Sequence, residues 1–430
     1  MRKNIALVTY MISPFRGSEC SVSWNYVKKM SEINNIYVFY SSRPWGYKCD
    51  DIMEWSKLNS IPNVYFIDVH KNTFFFRLGF AIFRHLECLE IGQTIIRTSW
   101  LKNVRHKINE LARSVRFDLI HLLNPIGFRT LAQDWSFDKD IPIVYGPVQG
   151  CEPTPWCLVK KIFFLRNGIP FLVEYLIRSL YLPILFKYAR SFRYTIKNAK
   201  IVFAATPQTL TQIERVYKRK VFYLPENGIL KLERRVPINL AIGQPLNIIW
   251  CGTVCHRKNT ILLLDSLTNI KNLDWHLNIV GDGPIKNDLV DYAKVNGLES
   301  RISWYGSVSR DEVQKIFSKS HLHVITSCRE GTPTTLWEAM AKGIPTLTLD
   351  HCGMGGVLSN VDGIKIPIDS YDNMRKNIAY QIQLIHDNPQ KIHDLSLATI
   401  ECAKKWSWDS RCIYLNDVLD RVVNENSHCQ

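Results

Sequence analysis

The 430-residue sequence has few cysteines, no glycine-rich dinucleotide fingerprint and no long uninterrupted apolar run. Twelve cysteines are too sparse for a disulfide scaffold. The pairs Cys251/Cys255 and Cys151/Cys157 have no second pair nearby, so they lack the spacing of a zinc site. Most cysteines sit in apolar runs and read as reduced core residues of a cytosolic protein. No GxGxxG loop follows the first strand of either half, which argues against a nicotinamide-dependent oxidoreductase. No run of 18 apolar residues occurs. The nearest, residues 169–186, contains Glu174 and Arg178, so an interfacial helix is expected there rather than a spanning one. Met1-Arg2-Lys3 precedes a short apolar stretch broken by Thr9 and Tyr10, with no small-residue cleavage site. A first β-strand explains it better than a signal peptide. With 46% hydrophobic and 22% charged residues, the chain is neither disordered, fibrous nor a polytopic membrane protein.

Acidic residues are scarce in one half only. Residues 1–225 carry 32 Lys and Arg against 16 Asp and Glu, while residues 226–430 carry 22 against 23. Within residues 160–220 the balance is 13 basic to two acidic. The excess points to a polyanionic partner of the first half: anionic lipid, a phosphorylated lipid substrate or nucleic acid. No nucleic-acid motif accompanies it, and the phosphate-binding features lie in the neutral half. Two stretches, residues 72–115 and 158–198, are helical, aromatic and basic. Phe74-Phe75-Phe76-Arg77 and Lys160-Lys161-Ile162-Phe163-Phe164-Leu165-Arg166 are examples. They are either buried helices with a solvated basic face or a membrane-interface surface.

Short β-branched runs alternate with helical stretches along the whole chain. They fall at residues 5–10, 36–40, 64–69, 119–123, 141–145, 201–204 and 221–224, then at 247–251, 276–280, 302–305, 322–326 and 345–349. Such alternation predicts parallel sheets covered on both faces. The pattern restarts after a polar segment at residues 226–245, which predicts two doubly wound domains in tandem. We expect a first domain over 1–235, a second over 236–400 and a C-terminal helix over 401–430 that packs back toward the first. Ligands of such sheets bind beyond the carboxyl ends of the strands, so the expected site is a cleft between facing domains.

The segment Arg329-Glu330-Gly331-Thr332-Pro333-Thr334-Thr335-Leu336-Trp337-Glu338 follows one of these strands. Pro333 suits the first turn of a helix, with Thr332 as its cap, and Gly343 ends it. Glu330 then precedes the helix and Glu338 lies in its second turn. The amides of residues 331–335, including Gly331, Thr332, Thr334 and Thr335, form a site for phosphate oxygens. The flanking carboxylates could accept hydrogen bonds from sugar hydroxyls. A capped helix with two incidental glutamates is the alternative.

Seven residues separate Glu330 from Glu338. This spacing, with Gly343-Ile344-Pro345 and the loop around Gly353–Gly356, resembles the Glu-x7-Glu signature of glycosyltransferase family 4, retaining enzymes of the GT-B fold. The resemblance runs from Ile5 to about Pro367. It implies that Glu330 contacts the donor sugar and Glu338 the ribose. Trp250–Asn259 resembles the family's strand and glycine loop ending in a basic pair. That implies that Lys258, with Arg257 as companion, neutralises the leaving diphosphate; Thr253 stands where many relatives have arginine. The loop Gly281-Asp282-Gly283-Pro284 resembles one that lies near the nucleotide. Ser13–Glu19 is similar to a glycine-rich loop facing donor phosphates and acceptor, with Gly17 and Ser18 in place of the common glycine pair. His121 matches the first of two histidines often found in relatives, and Leu123 stands at the second; His121 is a candidate catalytic contact or a satisfied core histidine.

The resemblance implies a retaining glycosyltransferase that moves a sugar from a nucleotide-diphosphate sugar to a saccharide or lipid-linked acceptor in bacterial surface polysaccharide synthesis. No metal and no cofactor are expected, because Lys258 and helix amides would hold the diphosphate. Asp138-Lys139-Asp140 reads as a surface loop. The expected location is the cytoplasm, at the inner face of an anionic membrane surface, with no nucleic-acid partner. A nucleotide-sugar epimerase of the same fold is the alternative, or a basic nucleic-acid- or membrane-binding protein.

Overall fold

The protein is described from a computed structural model, which places residues 2–17, 19–43, 50–69, 91–124, 128, 140–166, 168–233 and 236–427. Ser18, Phe74–Arg77 and Asp138-Lys139 lie outside the described residues. Two compact units are present. The first comprises Met1–Cys151, Arg178–Asn227 and Trp408–Gln430, and the second Glu152–Ile177 and Gly228–Ser407.

The first unit holds a seven-stranded parallel sheet. Its strands are β1 (Asn4–Thr9), β2 (Asn35–Tyr40), β3 (Val64–Asp68), β4 (Leu119–Asn124), β5 (Ile143–Val148), β6 (Ile201–Ala204) and β7 (Phe222–Tyr223). They run in the order β3-β2-β1-β4-β5-β6-β7. The strands are continuous apolar runs because both faces are covered. Ala6 and Val8 face one buried cluster, and Ile5 and Leu7 face the other. The last helix, Trp408–Ser427, belongs to this unit. Trp408, Leu415 and Leu419 enter its core, and Lys29 and Lys3 pair with Asp409 and Asp420 at 2.7 Å.

The second unit holds a six-stranded parallel sheet. Its strands are β8 (Leu246–Cys251), β9 (Trp275–Val280), β10 (Ile302–Gly306), β11 (Leu322–Ile325), β12 (Thr346–Leu349) and β13 (Ile364–Ile366). Their order is β10-β9-β8-β11-β12-β13, reversing direction of growth between β8 and β11. That reversal is the switch point where loops from neighbouring strands diverge and leave room for a ligand. Residues 152–177 also belong here. Lys161 pairs with Asp265 at 3.1 Å, and Phe171 stacks on His256 with ring centroids 5.3 Å apart. Two doubly wound α/β units of this kind make up the GT-B fold.

Candidate active site

The site is assembled from three loops at the carboxyl ends of β8, β9 and β11, all within the second unit. The chain leaves β8 through Gly252 into a single helical turn, His256–Lys258. That turn is stitched onto the end of β11. Cys328 donates its amide to the Arg257 carbonyl at 2.8 Å, and the Thr326 hydroxyl donates to the Lys258 carbonyl at 3.2 Å. The attachment sets both basic side chains beside the start of the next loop, where Glu330 stands. Lys258 Nζ lies 2.7 Å from Glu330 Oε1, and Arg257 Nη1 contacts the same oxygen. Arg257 also donates to the Arg329 carbonyl at 3.1 Å. One carboxylate oxygen thus gathers two cations in a half-screened pocket, where charge-assisted hydrogen bonds are stronger than at an open surface.

Helix Thr334–Ala341 starts one residue later than the sequence suggests. Pro333, with extended backbone, occupies the N-cap position, and no side chain caps the helix. Thr332, expected as the cap, is buried instead, and its hydroxyl has no hydrogen-bond partner. Its amide and those of Gly331, Thr334 and Thr335 remain at the helix N-terminus. Glu338 sits in the second turn, as the spacing predicts. Among the described residues its carboxylate has no hydrogen-bond partner, and burial raises its pKa, with Arg310 and Lys342 opposing the shift. Cys251, at the end of β8, has its thiol pushed up to about 12 by burial and then by the Glu338 carboxylate, while Lys258 pulls it down. Cys251 thus feels the charges of both Glu338 and Lys258.

Glycine packing fixes the geometry. Gly281, expected near a nucleotide, meets the Gly252 backbone: a Cβ there would fall 1.9 Å from the Gly252 carbonyl oxygen, and its φ is +135°. Gly281 thereby locks the β9 loop against the loop that carries Lys258. The second contact was only weakly legible in the sequence. Gly353 donates its amide to the Glu330 carbonyl at 3.2 Å, and a Cβ on it would fall 1.4 Å from the Gly331 carbonyl oxygen. The segment around Gly353–Gly356, expected as a loop, is helical: Cys352, the residue before Gly353, opens the helix Cys352–Val357 with φ +53°, a conformation that costs a non-glycine residue roughly 1–2 kcal/mol.

The remaining candidates lie in the first unit. Gly17 is exposed, with open space around it. His121 is fully buried on β4. Its Nε2 donates to the Gly146 carbonyl at 2.9 Å, so Nδ1 accepts from the Tyr26 hydroxyl at 2.8 Å. Burial lowers its pKa to about 4, leaving the ring neutral. Both nitrogens are satisfied within the unit, which is the arrangement of a core histidine. Asp140 is exposed, and no group of three or more potential metal ligands occurs among the described residues.

Residues 236–405 match the family model described as glycosyl transferases group 1. The lipopolysaccharide 1,6-galactosyltransferase of Salmonella typhimurium is 38% identical over 79 residues, covering 18% of this chain and 22% of that protein. The enzyme of the same name from Escherichia coli is 36% identical over 112 residues, covering 25% and 31%. The chain thus spans less than a third of either relative. Among solved structures, Anabaena HepE in complex with UDP superposes with a TM-score of 0.63 at 15% identity, over 97% of this chain and 100% of that one. At that identity the likeness concerns the fold.

Proposed function

We propose that the protein is a retaining glycosyltransferase that takes a sugar from a nucleotide-diphosphate sugar and passes it to a saccharide or lipid-linked acceptor, without a metal ion. The observation that carries this reading is the convergence of Lys258, Arg257, Glu330 and the N-terminus of helix Thr334–Ala341, whose second turn carries Glu338. The match of residues 236–405 to group 1 glycosyl transferases supports it.

Each group has a chemical task. The helix amides and the two cations hold a diphosphate, whose negative charge grows as the sugar–phosphate bond breaks. A diphosphate competes with Glu330 for Lys258 and Arg257, and the carboxylate so released accepts hydrogen bonds from the sugar hydroxyls. Glu338, half-buried and without a hydrogen-bond partner among the described residues, accepts from the ribose. No carboxylate stands in a nucleophile position in this reading, so the leaving diphosphate assists attack on the same face. The relatives named for lipopolysaccharide assembly support a role in bacterial surface polysaccharide synthesis on the cytoplasmic side, where nucleotide sugars are made.

The test is a panel of radiolabelled nucleotide sugars supplied with membrane or saccharide extracts. Transfer of label with retained anomeric configuration is the expected result. An isomerised donor with no transfer would instead mark an epimerase, and inertness toward every donor would remove the reading.

A further inference from the structure

Helix Gly168–Tyr188 has two unlike faces. Phe171, Glu174, Leu182 and Phe186 lie within one sector of the helix; Phe171 and Glu174 hold its first part to the second unit, and Leu182 and Phe186 pack its last part into the first. Phe171 stacks on His256, Glu174 pairs with Arg329 at 2.7 Å, and Leu182 and Phe186 are buried. Ile169, Val173, Leu176, Leu180 and Ile184 recur at intervals of four, three, four and four. They form one stripe, about half a turn round from the packed face. All five are exposed, Ile169 and Leu180 by more than 70%. Phe164, just before the helix, is 79% exposed. By length and composition this helix could cross a membrane, yet only 11% of its most apolar window is buried.

A continuous aliphatic stripe more than four turns long is more than the scattered apolar residues of an ordinary surface. Its flanks are basic. Lys160 and Arg166 precede it, and Lys187, Arg190, Arg193 and Lys197 follow it, all exposed. The single acidic residue of the helix, Glu174, is neutralised on the packed face. Such a surface calls for a partner that is apolar in depth and anionic at its rim.

We propose that this helix lies in the headgroup plane of an anionic phospholipid bilayer, with the aliphatic stripe turned toward the acyl chains and the flanking cations on the lipid phosphates. An in-plane helix keeps the Glu174–Arg329 pair and the burial of Leu182 and Phe186; a spanning helix would strip both away and put Glu174 and Arg178 into hydrocarbon. The inference does not rest on the proposed chemistry: the helix is anchored on His256 and Arg329, beside the active-site loops, but the stripe residues lie outside the site.

The experiment uses the full chain and co-sedimentation with phosphatidylcholine vesicles, with and without phosphatidylglycerol. Each lysine or arginine near an anionic surface raises partitioning roughly fivefold. Binding to the anionic vesicles should therefore exceed binding to the neutral ones by about 10-fold or more and weaken with salt. Leu180→Glu with Ile184→Glu should lower it about 10-fold or more, and alkaline carbonate should release the bound protein. Both residues are exposed, so the thermal melt of this variant should match wild type and separate lost docking from lost fold. Negligible binding to both vesicle types, wild-type binding by the variant, or resistance to carbonate would overturn the proposal. So would a stable dimer in solution that the same substitutions dissolve, which would assign the stripe to a second copy of the chain.

Discussion

At the scale of single residues, the site turns on which charges neutralise one another. Lys258 and Arg257 share one oxygen of Glu330, so removing either cation leaves the carboxylate with a partner and the fold intact. Lys258→Met should therefore lower kcat by about 10- to 100-fold with little change in KM, since its charge is needed most as the diphosphate leaves; an effect confined to KM would show ground-state binding only. Glu338 makes the opposite case. Its raised pKa means that the folded protein holds a proton there more tightly than the unfolded chain does. Its contribution to stability is thus greatest at low pH and falls as pH rises past the ordinary carboxylate range. Glu338→Gln should be as stable as wild type or more so at pH 8 in denaturant titration, because it removes a buried charge without breaking a hydrogen bond. A clear loss of stability would mean that Glu338 is a structural partner instead.

At the scale of elements, most of the architecture was readable in advance because buried parallel strands leave short apolar runs. Twelve of the thirteen strands coincide with such runs to within a residue or two at each end, except that β5 ends three residues past its run. The one missed, β13, is three residues of Ile-Lys-Ile at the edge of the sheet, too short to carry a pattern. The helix behind Glu330 was legible through Pro333 and Gly343, although Thr332 proved to be a buried side chain rather than a cap. The meeting of Glu330 with Lys258 was not legible from spacing, since 72 positions of chain separate Lys258 from Glu330 and only the pairing of β8 with β11 unites them. The contact of Gly353 with Gly331 was only weakly legible, because it depends on the pairing of β11 with β12. It yields a sharp expectation. Gly353→Ala forces the backbone beside Glu330 to move and should reduce turnover at least about 10-fold. Gly17→Ala, with open space around it, should fold as wild type does in a thermal melt. Equal, wild-type turnover in the Gly353 variant would remove the helix Cys352–Val357 from the site.

At the scale of the whole molecule, charge and protonation are unevenly placed. The basic excess lies entirely in residues 1–225, while the candidate active site lies in the near-neutral remainder. Burial also traps neutral histidines in both units. His121 is lowered to about 4 and His323 to about 3, and His256, His276 and His351 shift the same way. The unfolded chain, with histidines near 6.5, binds protons that the folded protein does not. Stability from this source is full above that pH and is lost as pH falls, by up to about 1.4 kcal/mol per pH unit for each fully buried histidine. Denaturation midpoints should fall between pH 6.5 and 5, above the ordinary carboxylate range; a flat profile would contradict the burial seen here. In the proposed function the second unit holds a nucleoside diphosphate between Lys258, Glu330 and Glu338. Calorimetric titration of the full chain with UDP, GDP, ADP and dTDP tests it most directly. One of the four should bind at a single site, and Glu338→Gln should weaken it about 10- to 100-fold, the cost of one hydrogen bond to a charged group. Binding of none of them, or binding that Glu338→Gln leaves unchanged, would contradict the account.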